Sequence, residues 1–397
     1  MIRITSSLDG EEGSALERLV TQRDVARRAG VSQAAASYAL SGTSSRTSAV
    51  TRERVLKAAE ELGYQPNLLA RGLRGSSTGL LGIVVRDAAA PAAAEVYRAL
   101  LRKAPTFGYD IVLTDAGDSA RTLLRLANLM KSRLCEGLFL VGELPDQDVV
   151  WETYARIGLP TVAILHGATE CYPVPKVHAD ALAGLRAAVE HLVGLGHRSI
   201  GLVSTEWLHG VQERQAHLQV LLREYSQPVS PANIVITELS RDGGAIALEH
   251  LLRSATPPTA VLAATDLIAI GMLAEARWLG VRVPEDLSVV GFDDIPDAQV
   301  CFPTLTTVRQ PFADMADRAL EWFLARRSGT ELAPERLALS TDLVVRESTG
   351  PPRALPGGAQ RGRTTHNSID KPSSHQAIKP SSIRPSKPAA IQRKEET

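Results

Sequence analysis

Aromatic side chains are scarce in this chain of 397 residues, Phe, Trp and Tyr together making up 4% of it. Cysteine is scarcer still: Cys135, Cys171 and Cys301 are far apart and odd in number. That excludes a disulfide framework and a C-x-x-C metal or redox pair, and it fits a reducing compartment. Long apolar runs are missing too, since the longest, around Ala260 to Ala274, is broken by Asp266, so no membrane span is expected. The N-terminus, Met1-Ile2-Arg3-Ile4-Thr5 followed by Asp9, Glu11 and Glu12, lacks the apolar core of a signal peptide. The histidines show no ligand spacing, and neither G-x-G-x-x-G nor G-x-x-x-x-G-K-[ST] occurs. No metal, no cofactor and no catalytic residue is therefore assigned, and an enzyme of the doubly wound class is not the expected reading.

An excess of either charge is also absent overall, with Lys+Arg 44 against Asp+Glu 44. The balance hides an uneven distribution. Residues 20–78 hold 9 basic and 4 acidic groups, residues 79–349 hold 24 and 33, and residues 350–397 hold 9 and 3. A small basic unit beside a large acidic one suits a chain of which one part sits on phosphates while the rest stays off them. Residues 1–19 read as a disordered extension. Residues 350–397, rich in Pro, Ser, Lys and Arg without an aromatic, read as a disordered basic tail that is either simply solvated or adds non-specific nucleic-acid contact.

Between residues 79 and 349 short β-rich runs alternate with helical spacing of Leu and Ala. The strands expected are Leu80–Val85, Asp110–Leu113, Gly137–Val141, Thr161–Leu165, Ile200–Val203, Ala260–Ala264 and Leu287–Phe292. Such alternation implies an α/β fold of parallel sheets covered on both faces. Gly196 and Gly280 stand where helices need a left-handed C-terminal residue. The series divides near Asp180 into two halves, which places a ligand cleft between two doubly wound subdomains. Asp180 and Asp266 each precede a helical run and read as N-caps.

Residues 20–65 carry a different pattern. Val25 and Ala29 lie one turn apart, Gly30 supplies a tight turn, and Ser32 can cap a second helix whose Ala36 and Leu40 face inward. This is a helix-turn-helix, with Gln33, Ala34, Ser37 and Tyr38 facing outward as a major-groove helix requires. A third helix, about Ser48 to Leu62, packs through Val55, Ala59 and Leu62 and stops at Gly63. Residues 66–78, with Pro66 able to start a helix and Gly72 weakening it, are too short a helix to stand alone and read as a hinge that folds on binding.

Asp24-Val25-Ala26, Ala29-Gly30-Val31-Ser32, Thr51-Arg52-Glu53-Arg54-Val55 and Leu62-Gly63-Tyr64-Gln65-Pro66-Asn67 together resemble the lactose-repressor/galactose-repressor (LacI/GalR) family of bacterial transcription regulators. The resemblance continues in Gly196-His197-Arg198, in Val283-Pro284-Glu285-Asp286-Leu287-Ser288-Val289-Val290-Gly291-Phe292-Asp293-Asp294 and in Leu305-Thr306-Thr307-Val308-Arg309-Gln310. It implies a cytoplasmic, nucleoid-associated homodimer that reads a pseudopalindromic double-stranded DNA operator. The core, residues 79–349, then has the two-subdomain fold of periplasmic binding proteins and binds a small effector, sugar-like in many members. The resemblance places Ser32, Gln33, Ala34 and Tyr38 at base-reading positions, and Thr21, Ser37 and Asn67 at backbone-contacting ones. It makes Leu73 the wedge that opens the minor groove.

In the core the resemblance assigns Asp87, Gln212, Arg214, Thr265 and Asp293 to the effector, with Pro91 in the loop after the first strand. Carboxylates and a guanidinium converging on a cleft suit hydroxyl-rich ligands. The sequence departs from the family where Ala92, Ala93 and Ala94 replace stacking aromatics, and where Thr265 and Leu165 replace the usual Asn and Asp. Trp207 is either a substitute stacking face or a packed core residue. A regulator that binds DNA without an effector is the alternative, and a transport binding protein is opposed by the basic N-terminal module.

Overall fold

The computed structural model describes residues 20–40, 47–64 and 77–353, apart from 118, 131–133, 145–151, 155, 166–173, 207 and 331–335. The readings made for 1–19, 66–76 and 354–397, and for Asn67, Leu73 and Trp207, lie outside the described residues.

Three short helices, α1 (Gln22–Ala29), α2 (Gln33–Leu40) and α3 (Ala49–Glu61), make the N-terminal unit. Helices of 8 residues do not persist alone, so packing must hold α1 and α2. Val25, Ala26 and Ala29 of α1 meet Ala36 and Ala39 of α2 and Val55, Ala58 and Ala59 of α3. The inward pair on α2 is thus Ala36 and Ala39, while Leu40 is only half-buried at the edge of the cluster. Gly30 turns the chain at φ 64, a conformation that a Cβ disfavours. Arg54 of α3 donates to the Ala29 carbonyl at 2.6 Å, which gives the C-terminal end of α1 both a partner and a compensating positive charge.

Two six-stranded sheets build the core. In the first, β1 (Leu80–Val85), β2 (Asp110–Asp115), β3 (Gly137–Val141), β4 (Thr161–Ile164), β5 (Lys176–Asp180) and β11 (Arg336–Ser340) run parallel in the order β11-β5-β4-β3-β1-β2. In the second, β6 (Ile200–Ser204), β7 (Ile234–Ile236), β8 (Ala260–Ala263), β9 (Ser288–Asp293), β10 (Thr306–Arg309) and β12 (Asp342–Val344) follow the order β12-β10-β9-β8-β6-β7. Only the pairing of β12 with β10 is antiparallel among the described strands. Central strands such as β3, β6 and β8 are buried along their length, whereas the edge strands β2 and β11 expose residues. That is the pattern of sheets covered by helices on both faces.

Six helices supply most of the cover. On the first sheet α4 (Pro91–Lys103) and α5 (Ala120–Met130) lie on opposite faces; on the second, α6 (Ala181–Gly194) and α7 (His209–Glu224) oppose α8 (Arg241–Leu252) and α9 (Asp266–Trp278). The division at Asp180 is real but incomplete. After β10 the chain returns to the first lobe, where α10 (Phe312–Arg327) packs Met315, Leu320 and Phe323 against Phe139 and Ile164, and β11 pairs with β5. It then crosses again to place β12 in the second lobe, so three strands of chain join the lobes. Residues 350–353, which composition assigned to the tail, are held on the core: Gly350 bonds Ser288 in both directions and Arg353 pairs with Asp286.

Gly196 and Gly280 do adopt left-handed conformations at helix ends, at φ 99 and φ 71. The adjacent His197 is fully buried, its ring nitrogens facing Thr259 Oγ1 at 2.9 Å on one side and Ser288 Oγ and the Gly350 carbonyl on the other. Burial holds the His197 ring below the ordinary histidine pKa, and burial does the same at His178 and His191. The unfolded chain therefore binds these protons more readily than the folded one. Their contribution to stability is complete above the ordinary histidine range and falls as pH drops through it. The contribution of these histidines to the melting temperature should decline between about pH 7.5 and 5.5, against the opposite trend of the raised buried carboxyls of Asp266 and Asp293, and His197→Gln should lower the melting temperature and remove its share of that slope relative to the parent. An unchanged slope in the variant would show that His197 does not contribute to it.

Candidate DNA-reading face and ligand cleft

On the N-terminal unit, Ser32 caps α2 by accepting from the Ala35 amide at 3.1 Å, which leaves its hydroxyl proton available to a partner. Gln33, Ala34 and Tyr38 lie exposed on the same helix, and Ser37 is half-buried. None of the three exposed residues is used by the helical core. Arg23 of α1 reaches Gln33 Oε1 at 3.4 Å and so adds a cation to this face. Thr21, expected at the DNA backbone, spends its amide and its hydroxyl on the Asp24 carboxylate, at 2.9 and 2.6 Å. That hydroxyl is engaged locally as the start of α1, and the Thr21 position offers little donor capacity to phosphate.

Residues 77–79, just ahead of β1, meet the core at Glu136. Its carboxylate accepts from Ser77 Oγ at 2.5 Å and from the Gly79 amide at 2.7 Å, and it pairs with Arg327 of α10 at 2.9 Å. Residues 75–79, Gly-Ser-Ser-Thr-Gly, match the G-x-S-x-G pattern of a nucleophile elbow, but they precede β1 instead of ending a strand, and Ser77 serves this anchor.

The cleft between the lobes encloses about 890 Å³, within the range of small-molecule sites. From the first lobe come Asp87, Glu143, His178 and Asp180, with Leu165 and the alanines 89, 90, 92 and 93 forming an apolar wall. From the second lobe come Glu213, Arg214, Arg241, Asp242, Thr265 and Asp293, with Gln310 between them. Phe292 is the only Phe, Tyr or Trp among the described residues of this lining, and the Arg214 guanidinium stacks on its ring at 4.2 Å.

Of the residues expected at the ligand, Asp87, Arg214, Thr265 and Asp293 line the cavity. Asp87 also stabilises its own turn by accepting from the Ala89 amide at 2.8 Å. Gln212 does not line the cavity: it is exposed and donates to the Glu206 carbonyl, and its neighbour Glu213 faces the cleft instead. A step of one residue rotates a helical side chain by about 100°. Asp180 caps α6 through the Leu182 amide at 3.1 Å and also borders the cavity. Asp266 is not the cap of α9. Thr265 takes that place through the Ile268 amide, and Asp266 is fully buried, accepting from Thr307 Oγ1 at 2.5 Å and from the Ile295 amide at 2.9 Å.

Electrostatics concentrate where β9 ends. Burial pushes the Asp293 carboxyl above the usual carboxylate range, while Arg214 and the Gln310 amide, which donates at 2.6 Å, draw it back. Burial likewise raises Asp266, and the nearby charge of Asp293 adds to the rise. Desolvation lowers the Arg214 pKa against the pull of Asp293, Glu143 and Glu213. Its NH2 group donates to the Ala264 carbonyl at 3.2 Å, and its buried Nε has no partner among the described residues. A buried donor without a partner costs about 1–3 kcal/mol. Asp293 and Asp294 both have positive φ, 130 and 59, so the backbone at this strand end is strained. Asp294 is held there by Arg309 at 2.7 Å and by Arg346.

Sequence reasoning missed Glu143, His178, Glu213, Arg241, Asp242 and Gln310. The available signal was position, since Glu143 and Gln310 directly follow strands that end at the cleft.

Comparison with known proteins adds the following. Residues 21–67 match the bacterial regulatory proteins of the lacI family, and residues 189–349 match a periplasmic binding protein-like domain. The HTH-type transcriptional repressor CytR of Escherichia coli (strain K12) is 31% identical over 347 residues, covering 86% of this chain and 98% of that protein. The lac repressor dimer bound to operator and the anti-inducer ONPF superposes with a TM-score of 0.75 at 28% identity, over 84% of this chain and 100% of that one. The transcriptional regulator CelR in complex with cellobiose gives a TM-score of 0.63 at 29% identity, over 83% and 99%. Among the described residues no helix is long and apolar enough to cross a membrane. With the helix-turn-helix, the two-lobed core and a likeness to CytR that spans nearly that whole protein, the chain belongs to the lacI family of bacterial regulatory proteins.

Proposed function

We propose that this protein is a cytoplasmic transcriptional repressor and not an enzyme: a homodimer that binds a pseudopalindromic operator and releases or tightens its hold when a small polar, sugar-like metabolite enters the cleft. The observation that carries this reading is that one chain joins an outward α2 face not needed by its own core to a large polar cleft between two lobes. Ser32, Gln33, Ala34 and Tyr38 read bases, Ser37 and Asn67 touch the DNA backbone with a lesser share for Thr21, and Leu73 wedges the minor groove. In the cleft Asp87, Arg214, Thr265 and Asp293 hold the metabolite, and Glu213 takes the role first given to Gln212. The lac repressor structure was solved on operator DNA and CelR on cellobiose, which supports both halves of the reading.

A second reading, regulation without an effector, draws on the wall of alanines 89, 90, 92 and 93, which offers a sugar ring no aromatic face. Thermal-shift screening of the full chain against sugars, sugar phosphates and nucleosides separates the two. Silence across the panel would favour the second.

Gln33→Ala should lose about 1–3 kcal/mol on the cognate base pair and leave non-specific affinity nearly intact. Equal loss on every sequence would remove Gln33 from base reading. Leu73→Ala should lower specific affinity and the bend angle of the bound duplex together, as gel mobility of permuted sites would show. Arg214→Ala should erase a metabolite response of about 1–3 kcal/mol while sparing DNA binding, because it stands in the cleft and outside residues 20–78. A full response in that variant would move the ligand elsewhere.

A further inference from the structure

The core helices differ in how their first turns are satisfied. Asp180 caps α6, Ser240 caps α8 and Thr265 caps α9, each with its own side chain. Helix α7 begins after Leu208, which has no side-chain acceptor and makes no cap. Its acceptor comes from across the cleft: Glu143 Oε1 of the first lobe accepts from the Gly210 amide, the second residue of α7, at 2.7 Å. Glu143 is 9% exposed, and the turn that presents it is made by Gly142 at φ 78, directly after β3. Arg214, one turn further along α7, is close enough for the Glu143 charge to act on it.

A carboxylate on a helix N-terminus satisfies orphan amides and meets the positive end of the helix dipole. Here that contact forms only when the two lobes are together. It also takes the place at which a phosphate or carboxylate of a ligand would bind.

We infer that Glu143 is a cross-lobe cap that ties the two lobes together across the cleft and acts as a charge filter, excluding anionic effectors from the α7 end and leaving the cleft to neutral or cationic polyhydroxyl molecules. The filter rests on the cleft being the effector site; the tether does not. Opening the lobes removes the cap from α7, so the amides of its first turn report the contact directly.

The test uses the full chain without DNA or metabolite. Hydrogen exchange at the start of α7 should quicken roughly five- to tenfold in Glu143→Ala. Glu143→Gln, whose amide oxygen still accepts, should stay near the parent rate. The start of α6, capped within its own lobe by Asp180, should not change in either variant, which separates loss of the cap from general loosening. Inorganic phosphate titrated against melting temperature should stabilise Glu143→Ala and leave the parent protein unmoved. Equal exchange at α7 in parent and Glu143→Ala would overturn the tether, and phosphate stabilising the parent as much as the variant would overturn the filter. Failure of every metabolite to bind would defeat the proposed function while the exchange result still stood.

Discussion

Parallel strands joined by crossover helices all finish at the same edge of their sheet, and nearly every polar group of the cleft owes its position to that constraint. Glu143 follows β3, Leu165 follows β4, and Asp180 ends β5; Thr265, Asp293 and Gln310 stand in the same relation to β8, β9 and β10. Because helices begin where strands end, the same edge gathers helix N-termini and the carboxylates that satisfy them. Asp266 shows how tightly this edge is fitted. Its carboxylate links α9 to the hydroxyl of Thr307 and the amide of Ile295, and it lies against Gly291 so closely that a Cβ there would collide with it.

The fold was largely legible from residue patterns because seven of the strands are runs of Val, Ile, Leu and Ala. Those that were not foreseen break the pattern for separate reasons. β5 contains Lys176 and His178, both buried, and so does not read as apolar. β7 has 3 residues, too few for any periodicity. β11 alternates exposed with half-buried residues at a sheet edge, β10 is rich in polar residues, and β12, like β7, has only 3 residues. The return of α10 and β11 to the first lobe could not be seen, since a helix followed by a strand looks the same in either sheet.

Site residues were legible where backbone position decides orientation and illegible where one residue of register decides it. Thr265 took the cap that Asp266 was expected to make, and Glu213 took the cleft-facing place expected for Gln212; in both pairs the chemistry of the neighbours is similar and only the helical phase differs. Glu143 was illegible for another reason. Its partner is an amide in the other lobe, and no local pattern records an interaction between residues so distant in sequence. On the N-terminal unit the reverse holds, because 21–40 is a local motif and its turn, cap and outward face follow from neighbouring residues.

The threefold passage of the chain between the lobes also bears on how the protein is made. During synthesis β1 to β5 emerge first, yet the face of that sheet holding Phe139, Val162 and Ile164 has no complete cover until α10 arrives more than a hundred residues later. The second lobe waits only for the short edge strand β12, which emerges after the first lobe has received β11. The first lobe cannot close on the ribosome before the second is nearly finished, and it carries exposed apolar surface while it waits. Nascent chains of this protein should therefore depend on chaperones that shield sheet faces, and premature termination before residue 312 should leave the first lobe without its cover and the second without its last edge strand.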